Sequence, residues 1–301
     1  MNEKLVSPIT KKNDVSLVKK WNTKEIIEAY QKNFNYDAAR FFSGVDEIYQ
    51  YKCDETGYVF FYPIIEGDSD FYGYFQQFDW YYNPWKWEHQ QVVPFLKAGA
   101  SLLEIGSGRG DFISKITEEY DVKAIGLELN QKAVEEATSK KIPLLNVSLN
   151  EFSQTHKNAF DIVCSFEVLE HISDVHSFIK DSLECLKSGG YMIIAVPNNQ
   201  SFIKEEPIPL NVPPHHIGWW DEDSLTGLSA LFNIELCSIL YEPLQSYHKE
   251  WYKSIIKREL IKNRYLRKLI SVLFKSKFEK KAGVLSDWAI GHTILGIYRK
   301  N

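Results

Sequence analysis

Four cysteines, Cys53, Cys164, Cys185 and Cys237, are scattered along 301 residues, and no two of them stand in a C-x-x-C spacing. Neither a disulfide framework nor a cysteine zinc site is encoded, free thiols are expected, and no metal-ligand set is read from the sequence. No apolar run approaches the roughly 18 to 20 residues of a membrane span, and the opening MNEKLVSPITKKNDVSLVKKW has no apolar h-region, so a cytoplasmic location is expected. An excess of positive charge is also missing. Lys and Arg number 35 against 40 Asp and Glu, a net charge of −5, which argues against a protein-wide nucleic-acid footprint and leaves only a local patch. The composition is otherwise that of an ordinary globular chain, 44% hydrophobic and 25% charged, long enough for one enlarged domain or a domain with added modules.

Aromatic residues, by contrast, are abundant: at 14% they exceed what a core requires. They concentrate between Phe41 and Trp87, where YQYKCDETGYVFFYP has the alternation and turn residues of a hairpin and DFYGYFQQFDWYYNPWKWEH follows. This is expected to be a separate module, 41–94. Its rings fall too densely for one helix face, so they either pack the module onto its neighbour or line a pocket. Residues 1–40, polar with a helical run TKEIIEAYQKNF after Thr23, read as a loosely attached arm.

From Ser101 the chain alternates strand and helix. Strands are expected at 101–105, 124–128, 144–147, 161–166 and 191–196, helices at 110–119, 132–140 and 175–186, with Gly189–Gly190 marking the turn before the last strand. Such alternation builds a doubly wound α/β sheet, mostly parallel, and two late strands at 233–241 and 291–299 would close it with an antiparallel edge. Between them, HKEWYKSIIKRELIKNRYLRKLISVLFKSKFEKKAG holds twelve Lys or Arg and three Asp or Glu, with apolar residues at helical intervals. A basic amphipathic helical insertion over 245–283 is expected; its basic stretch 249–281 is either a solvated face or a peripheral contact with a membrane or anionic partner.

The chemistry starts at LLEIGSGRGDF. Gly106, Gly108 and Gly110 let a backbone pass close to a ligand, but Asp111 stands where a dinucleotide loop needs its third glycine, and Glu104 suits a cationic ligand better than a pyrophosphate. LLEIGSGRGDF, AIGLELN, FDIVCSFEVLEHISD and LECLKSGGYMIIAVPN, in that order, resemble the class I S-adenosylmethionine-dependent methyltransferases, in the branch of ubiquinone-biosynthesis-type and small-molecule O-methyltransferases. The resemblance implies a Rossmann-like domain over 95–301 and S-adenosylmethionine as cofactor. It implies that Glu104, Gly106, Ser107, Gly108 and Gly110 hold the methionine end, and that Glu128 with Leu129 receives the ribose side. Ser148 and Asn150 would face the adenine, where the family often has an Asp; Phe166 and Glu167 would line the methionine side.

Three histidines are candidates for the base that deprotonates or orients an acceptor: His171 after the fourth strand, and His215 and His216 in NVPPHHIGWWDEDSL, read as part of a rigid lid over 200–228. The front module resembles methyltransferase-like proteins of bacterial surface-glycan pathways, some with a C-x-x-C there; here Thr56 stands at the second cysteine's place after Cys53. An O-methyltransferase acting on a small-molecule or glycan acceptor, with no nucleic-acid partner, is expected. Two other readings stay open: a protein that binds the cofactor without transfer, and a nicotinamide oxidoreductase. A nucleic-acid methyltransferase lacks support, since SFEVLEHI replaces the Asn/Asp-Pro-Pro-Tyr signature of base-amino enzymes.

Overall fold

The structure, a computed structural model, describes residues 5–75, 77–78, 84–204, 208–260 and 289–301. The chain opens with β1 (Val15–Asn22) and α1 (Thr23–Phe34), followed by the hairpin of β2 (Glu47–Cys53) and β3 (Val59–Tyr62), then α2 (Ser69–Phe75) and α3 (Trp87–Val92). The alternating region gives β4 (Ala100–Ile105), α4 (Asp111–Glu119), β5 (Val122–Leu127), α5 (Gln131–Ser139), β6 (Leu144–Leu145), α6 (Leu149–Thr155), β7 (Phe160–Phe166), α7 (Val175–Cys185) and β8 (Leu186–Pro197). It ends with β9 (Gly218–Trp219), α8 (Glu222–Phe232), β10 (Glu235–Pro243), α9 (Lys249–Leu260) and β11 (Ile290–Arg299).

The large sheet has seven strands in the order β10-β11-β8-β7-β4-β5-β6. Pairs within β8-β7-β4-β5-β6 are parallel, whereas β11 runs antiparallel to both β8 and β10. This is the doubly wound architecture with an antiparallel edge that the alternation implies. Met192 to Val196 are buried without alternation, as a strand covered on both faces must be. The chain adds strands outward from β4 toward β6, then returns to lay β7 on the other side of β4. That reversal opens a crevice at the carboxyl ends of β4 and β7, the place where open α/β sheets bind ligands.

A second, antiparallel sheet has the order β1-β2-β3-β9. The described part of the expected arm, residues 5–40, is therefore tied into the fold. β1 pairs along β2, Ile9 is fully buried in the main core, and His176 at the start of α7 donates from its backbone N to Pro8 O (3.2 Å) and from Nδ1 to Ile9 O (2.9 Å). The alternation that marks a strand is absent from VSLVKKWN because most of its side chains are exposed; pairing at the sheet edge holds it.

The aromatic surplus mostly packs. Tyr30 of α1 and Phe71 and Phe75 of α2 are fully buried on the small sheet with Phe61, in tilted and edge-to-face contacts such as Tyr30–Phe71 at 5.9 Å. Trp85 and Trp87 lie partly buried on the large sheet's side instead, Trp85 stacking on Phe112 at 6.1 Å. Trp80, Tyr81 and Tyr82 lie outside the described residues. The presumed lid is stitched into this unit, because β9 pairs with β3 and Trp220, fully buried, contacts Tyr58 at 4.5 Å. The small sheet thus draws on both sides of the expected 41–94 boundary. Gly189–Gly190 falls inside β8: Gly189 at φ +73° allows a bulge where the register against β7 shifts between Phe160 and Ile162. The described part of the basic insertion begins as helix α9; residues 261–288 lie outside the described residues. Among the described residues, no helix is long and apolar enough to cross a membrane.

Candidate active site

On the β4 side of the crevice, the loop after Ile105 turns through Gly106, Gly108 and Gly110, at φ +78°, +53° and +78°. A side chain on Gly106 would run into Val168 Cγ2, so both conformation and space demand glycine there. Gly108 N donates to Glu128 Oε2 (2.8 Å) and Asn130 N donates to Glu128 Oε1 (2.7 Å), which fixes the carboxylate at the end of β5. Asn146 Nδ2 clamps the same turn by donating to the carbonyls of Glu128 and Leu129, at 2.9 and 3.0 Å. Leu129 is 73% exposed, an apolar face held out beside the glycine loop. Glu104, in β4, is buried, and its Oε2 has no hydrogen-bond partner. Desolvation pushes its carboxyl up to about 8, with Ser107 offsetting and Glu128 reinforcing the shift.

On the β7 side, Phe166 packs against Phe112 (5.1 Å) and His89 (5.0 Å), and Glu167 takes a left-handed turn at φ 55° as its N donates to Ala195 O. A tight turn at Leu169–His171 then presents Glu170 and His171 to the lid. All three candidate histidines meet here. The His171 ring lies 4.8 Å from that of His215 and 4.9 Å from that of His216. His171 Nδ1 lies 2.6 Å from His215 O, and since a carbonyl only accepts, Nδ1 carries the proton; the Tyr72 hydroxyl is 3.3 Å from the same nitrogen. Burial lowers His171 to about 4 and holds His215 and His216 well below the ordinary histidine range, so the cluster is neutral at neutral pH.

Residues 80–239 match a family model described as a methyltransferase domain, which covers more than half of the chain. The chain belongs to the class I S-adenosylmethionine-dependent methyltransferase family. It is similar to a Mycobacterium tuberculosis protein named as a probable S-adenosylmethionine-dependent methyltransferase, 24% identical over 172 residues, 54% of this chain and 60% of that one. The ubiquinone biosynthesis O-methyltransferase of Idiomarina loihiensis is 21% identical over 169 residues, 50% of this chain and 68% of that enzyme. A crystal structure of an S-adenosylmethionine-dependent methyltransferase from Archaeoglobus fulgidus shares the fold, with a TM-score of 0.50 and 18% identity, covering 70% of this chain and 90% of that one. The chain thus spans three fifths of the length of the first relative it matches.

The methyltransferase family's cofactor fits what the crevice offers. A buried carboxylate oxygen without a partner at Glu104 suits an ammonium, and the glycine backbone leaves room for the chain between ammonium and sulfonium. The structure places the two residues expected at the adenine, Ser148 and Asn150, at the start of α6. Ser148 caps α6, its Oγ accepting from Glu151 N (3.2 Å), and Asn150, carried into that helix, turns its amide to Asp181 Oδ2 on α7 (3.0 Å). Asn150 thus lies within α6, Leu149–Thr155, and ties that helix to α7.

The sequence reading passed over several groups that face the same space. Lys86 is close to Glu88 (3.7 Å) and its charge reaches Glu104, Glu167 and Glu170, while Glu170 itself is buried beside the histidines. Burial pushes Glu88, Glu167 and Glu170 above the ordinary carboxylate range. The signal for Lys86 and Glu88 was the charged pair within the aromatic run WKWEH; that for Glu170 was its place next to His171.

Proposed function

We propose that this chain transfers a methyl group from S-adenosylmethionine to an oxygen of a small-molecule or sugar acceptor. The observation that carries the reading is Glu104: a buried carboxylate with a partnerless oxygen, across the glycine turn from a Glu128 whose two oxygens are already aimed by backbone N–H groups. When bound, S-adenosylmethionine supplies an electrophilic methyl on a sulfonium, a good leaving group. Glu104 would take the amino group, the Gly106–Gly110 backbone the methionine end, Glu128 the ribose hydroxyls and Leu129 one face of the adenine. The chain's remaining task is to bring an acceptor oxygen in line and take its proton.

The proton on His171 Nδ1 leaves Nε2 as the accepting nitrogen, and the lid's His215 and His216 face it. Similarity to an O-methyltransferase of ubiquinone biosynthesis favours oxygen as the acceptor atom. The front module's resemblance to surface-glycan methyltransferase-like proteins, and the Tyr72 ring against His171 at 5.5 Å, favour a polyhydroxylated acceptor. Calorimetric titration with S-adenosylhomocysteine and, separately, NADH tests the cofactor: binding of the first alone is expected. Labelled methyl donor with pools of nucleotide sugars and glycans then tests the acceptor. Cofactor binding with no transfer to any pool would favour a binding protein without transfer activity; NADH binding would overturn the reading outright.

A further inference from the structure

The three histidines are held in a way that selects which nitrogen each presents. Asn199 Nδ2 donates to the carbonyls of Pro197 (3.3 Å) and Trp220 (3.4 Å), which leaves its Oδ1 to accept from Asn211 Nδ2 (2.8 Å). Asn211 Oδ1 therefore accepts, and His216 Nδ1, at 3.1 Å, is protonated. The Nδ1–H groups of His171 and His215 donate to the carbonyls of His215 and Leu210, at 2.6 and 3.0 Å. Imidazoles anchored through Nδ1 by carbonyl or amide oxygens keep Nε2 as the ligating nitrogen, which is how proteins prepare ligands for a metal ion.

A second observation points the same way. Glu170, buried between them, places Oε1 at 3.7 Å from His171 Nε2 and 3.9 Å from His216 Nε2, and its Oε2 is buried without a hydrogen-bond partner. One ligand nitrogen from each histidine lies within 4.8 Å of the others. Two ligands on a tetrahedral ion at about 2.1 Å sit about 3.4 Å apart, so the Glu170–imidazole separations would close by about 0.3 to 0.5 Å and the imidazole separations by up to about 1.4 Å, which side-chain rotation can supply. Glu167, whose Oε1 is also buried and partnerless, lies within electrostatic reach of Glu170 and brings a second carboxylate. We propose that His171, His215, His216 and Glu170 hold one divalent first-row transition ion of the zinc class. Neutral imidazoles with one carboxylate favour such an ion over magnesium or calcium, which select oxygen. Its role rests on the reading that the methyl acceptor enters here: with His171 Nε2 taken up as a ligand and no longer the base, an acceptor hydroxyl held on such an ion would be acidified and its proton would pass to solvent water.

The test uses the full chain, stripped with chelator and titrated with Co²⁺, followed by visible d–d absorption. One Co²⁺ per chain, displaced by Zn²⁺, is expected. His171→Ala with His216→Ala should abolish the bands, and Asn211→Ala should weaken binding by roughly 10- to 100-fold, as loss of an outer partner does. Cys237→Ser, at an exposed thiol, should change nothing. S-adenosylhomocysteine titration of every variant reports folding and the cofactor half separately; should the double variant fail to fold, Asn211→Ala and Glu170→Gln carry the test. No uptake of Co²⁺ by a wild-type chain that binds S-adenosylhomocysteine, or equal uptake by folded ligand variants, would overturn the proposal. Co²⁺ binding without S-adenosylhomocysteine binding would support the metal site while sinking the cofactor reading.

Discussion

Glu104 makes cofactor affinity depend on pH in a way that can be worked out beforehand. The carboxyl is 4% exposed and is pushed up to about 8, chiefly by desolvation. At pH 7 about nine chains in ten would hold it protonated, and ionising it to meet an ammonium costs about 1.4 kcal/mol; at pH 6 the cost is about 2.7 kcal/mol. An ammonium beside the carboxylate lowers its pKa again, so binding below pH 8 must expel a proton. The dissociation constant for S-adenosylhomocysteine should therefore fall roughly tenfold per unit from pH 6 to pH 8 and then level off. Calorimetry at pH 6 in two buffers of unlike ionisation enthalpy should register release of about one proton per ligand. Glu104→Gln should flatten the profile and bind more weakly at pH 8. The sign for stability follows from the same shift. Between about 4.5 and 8 the folded chain keeps a proton that the unfolded chain has lost, so the unliganded protein loses stability as pH rises through that window. A pH-independent dissociation constant in the wild type, or an equally steep profile in Glu104→Gln, would refute the assignment of Glu104 to the ligand's amino group.

Glu128→Ala removes the acceptor of Gly108 N and Asn130 N together with the proposed ribose contact, and should weaken S-adenosylhomocysteine by about 10- to 100-fold in titration, from charge-assisted bonds of roughly 1.5–3 kcal/mol. Gly106→Ala forces an alanine into φ +78° against Val168, and should cost about 1–3 kcal/mol of stability and most of the cofactor affinity, read by thermal melts with and without ligand. Trp220→Ala empties a fully buried site between the two sheets and should cost about 3–5 kcal/mol in urea denaturation; a loss under 1 kcal/mol would contradict the packing described. Lys300 donates to Leu183 O and Leu186 O, both at 2.7 Å, and to Asn158 Oδ1 at 2.9 Å, capping the end of α7 from just past β11. Lys300→Met should lower stability by about 1–2 kcal/mol.

Much of this molecule is written locally. α1 could be read because Asn22 caps its start, accepting from Lys24 N, and the following residues alternate at helical intervals. Most strands and helices from Ala100 to Val196 follow from periodicity, while the short α6 at Leu149–Thr155, expected as a loop, does not; the turn at Gly106–Gly110 follows from a chain conformation that glycine adopts best. Other elements have no local signature. β1 is exposed along most of its length and exists because β2 lies beside it; β9 is two residues long and owes its state to β3.

The candidate site divides in the same way. Glu104, the three glycines and Glu128 are set by short motifs at strand ends, so the sequence by itself determined where the residues proposed to hold the cofactor stand: each position follows from its distance along one strand or turn. The histidine cluster proposed to meet the acceptor was decided by tertiary structure. Asn199, Asn211, His215 and His216 act on His171 and Glu170 because the lid returns to the end of β7, where Ile217 N donates to Glu170 O at 2.9 Å. That meeting depends on a small sheet assembled from β1, β2, β3 and β9, strands separated by most of the chain. Local periodicity fixes what one element exposes; only long-range strand pairing decides which exposed groups come within bonding distance of each other.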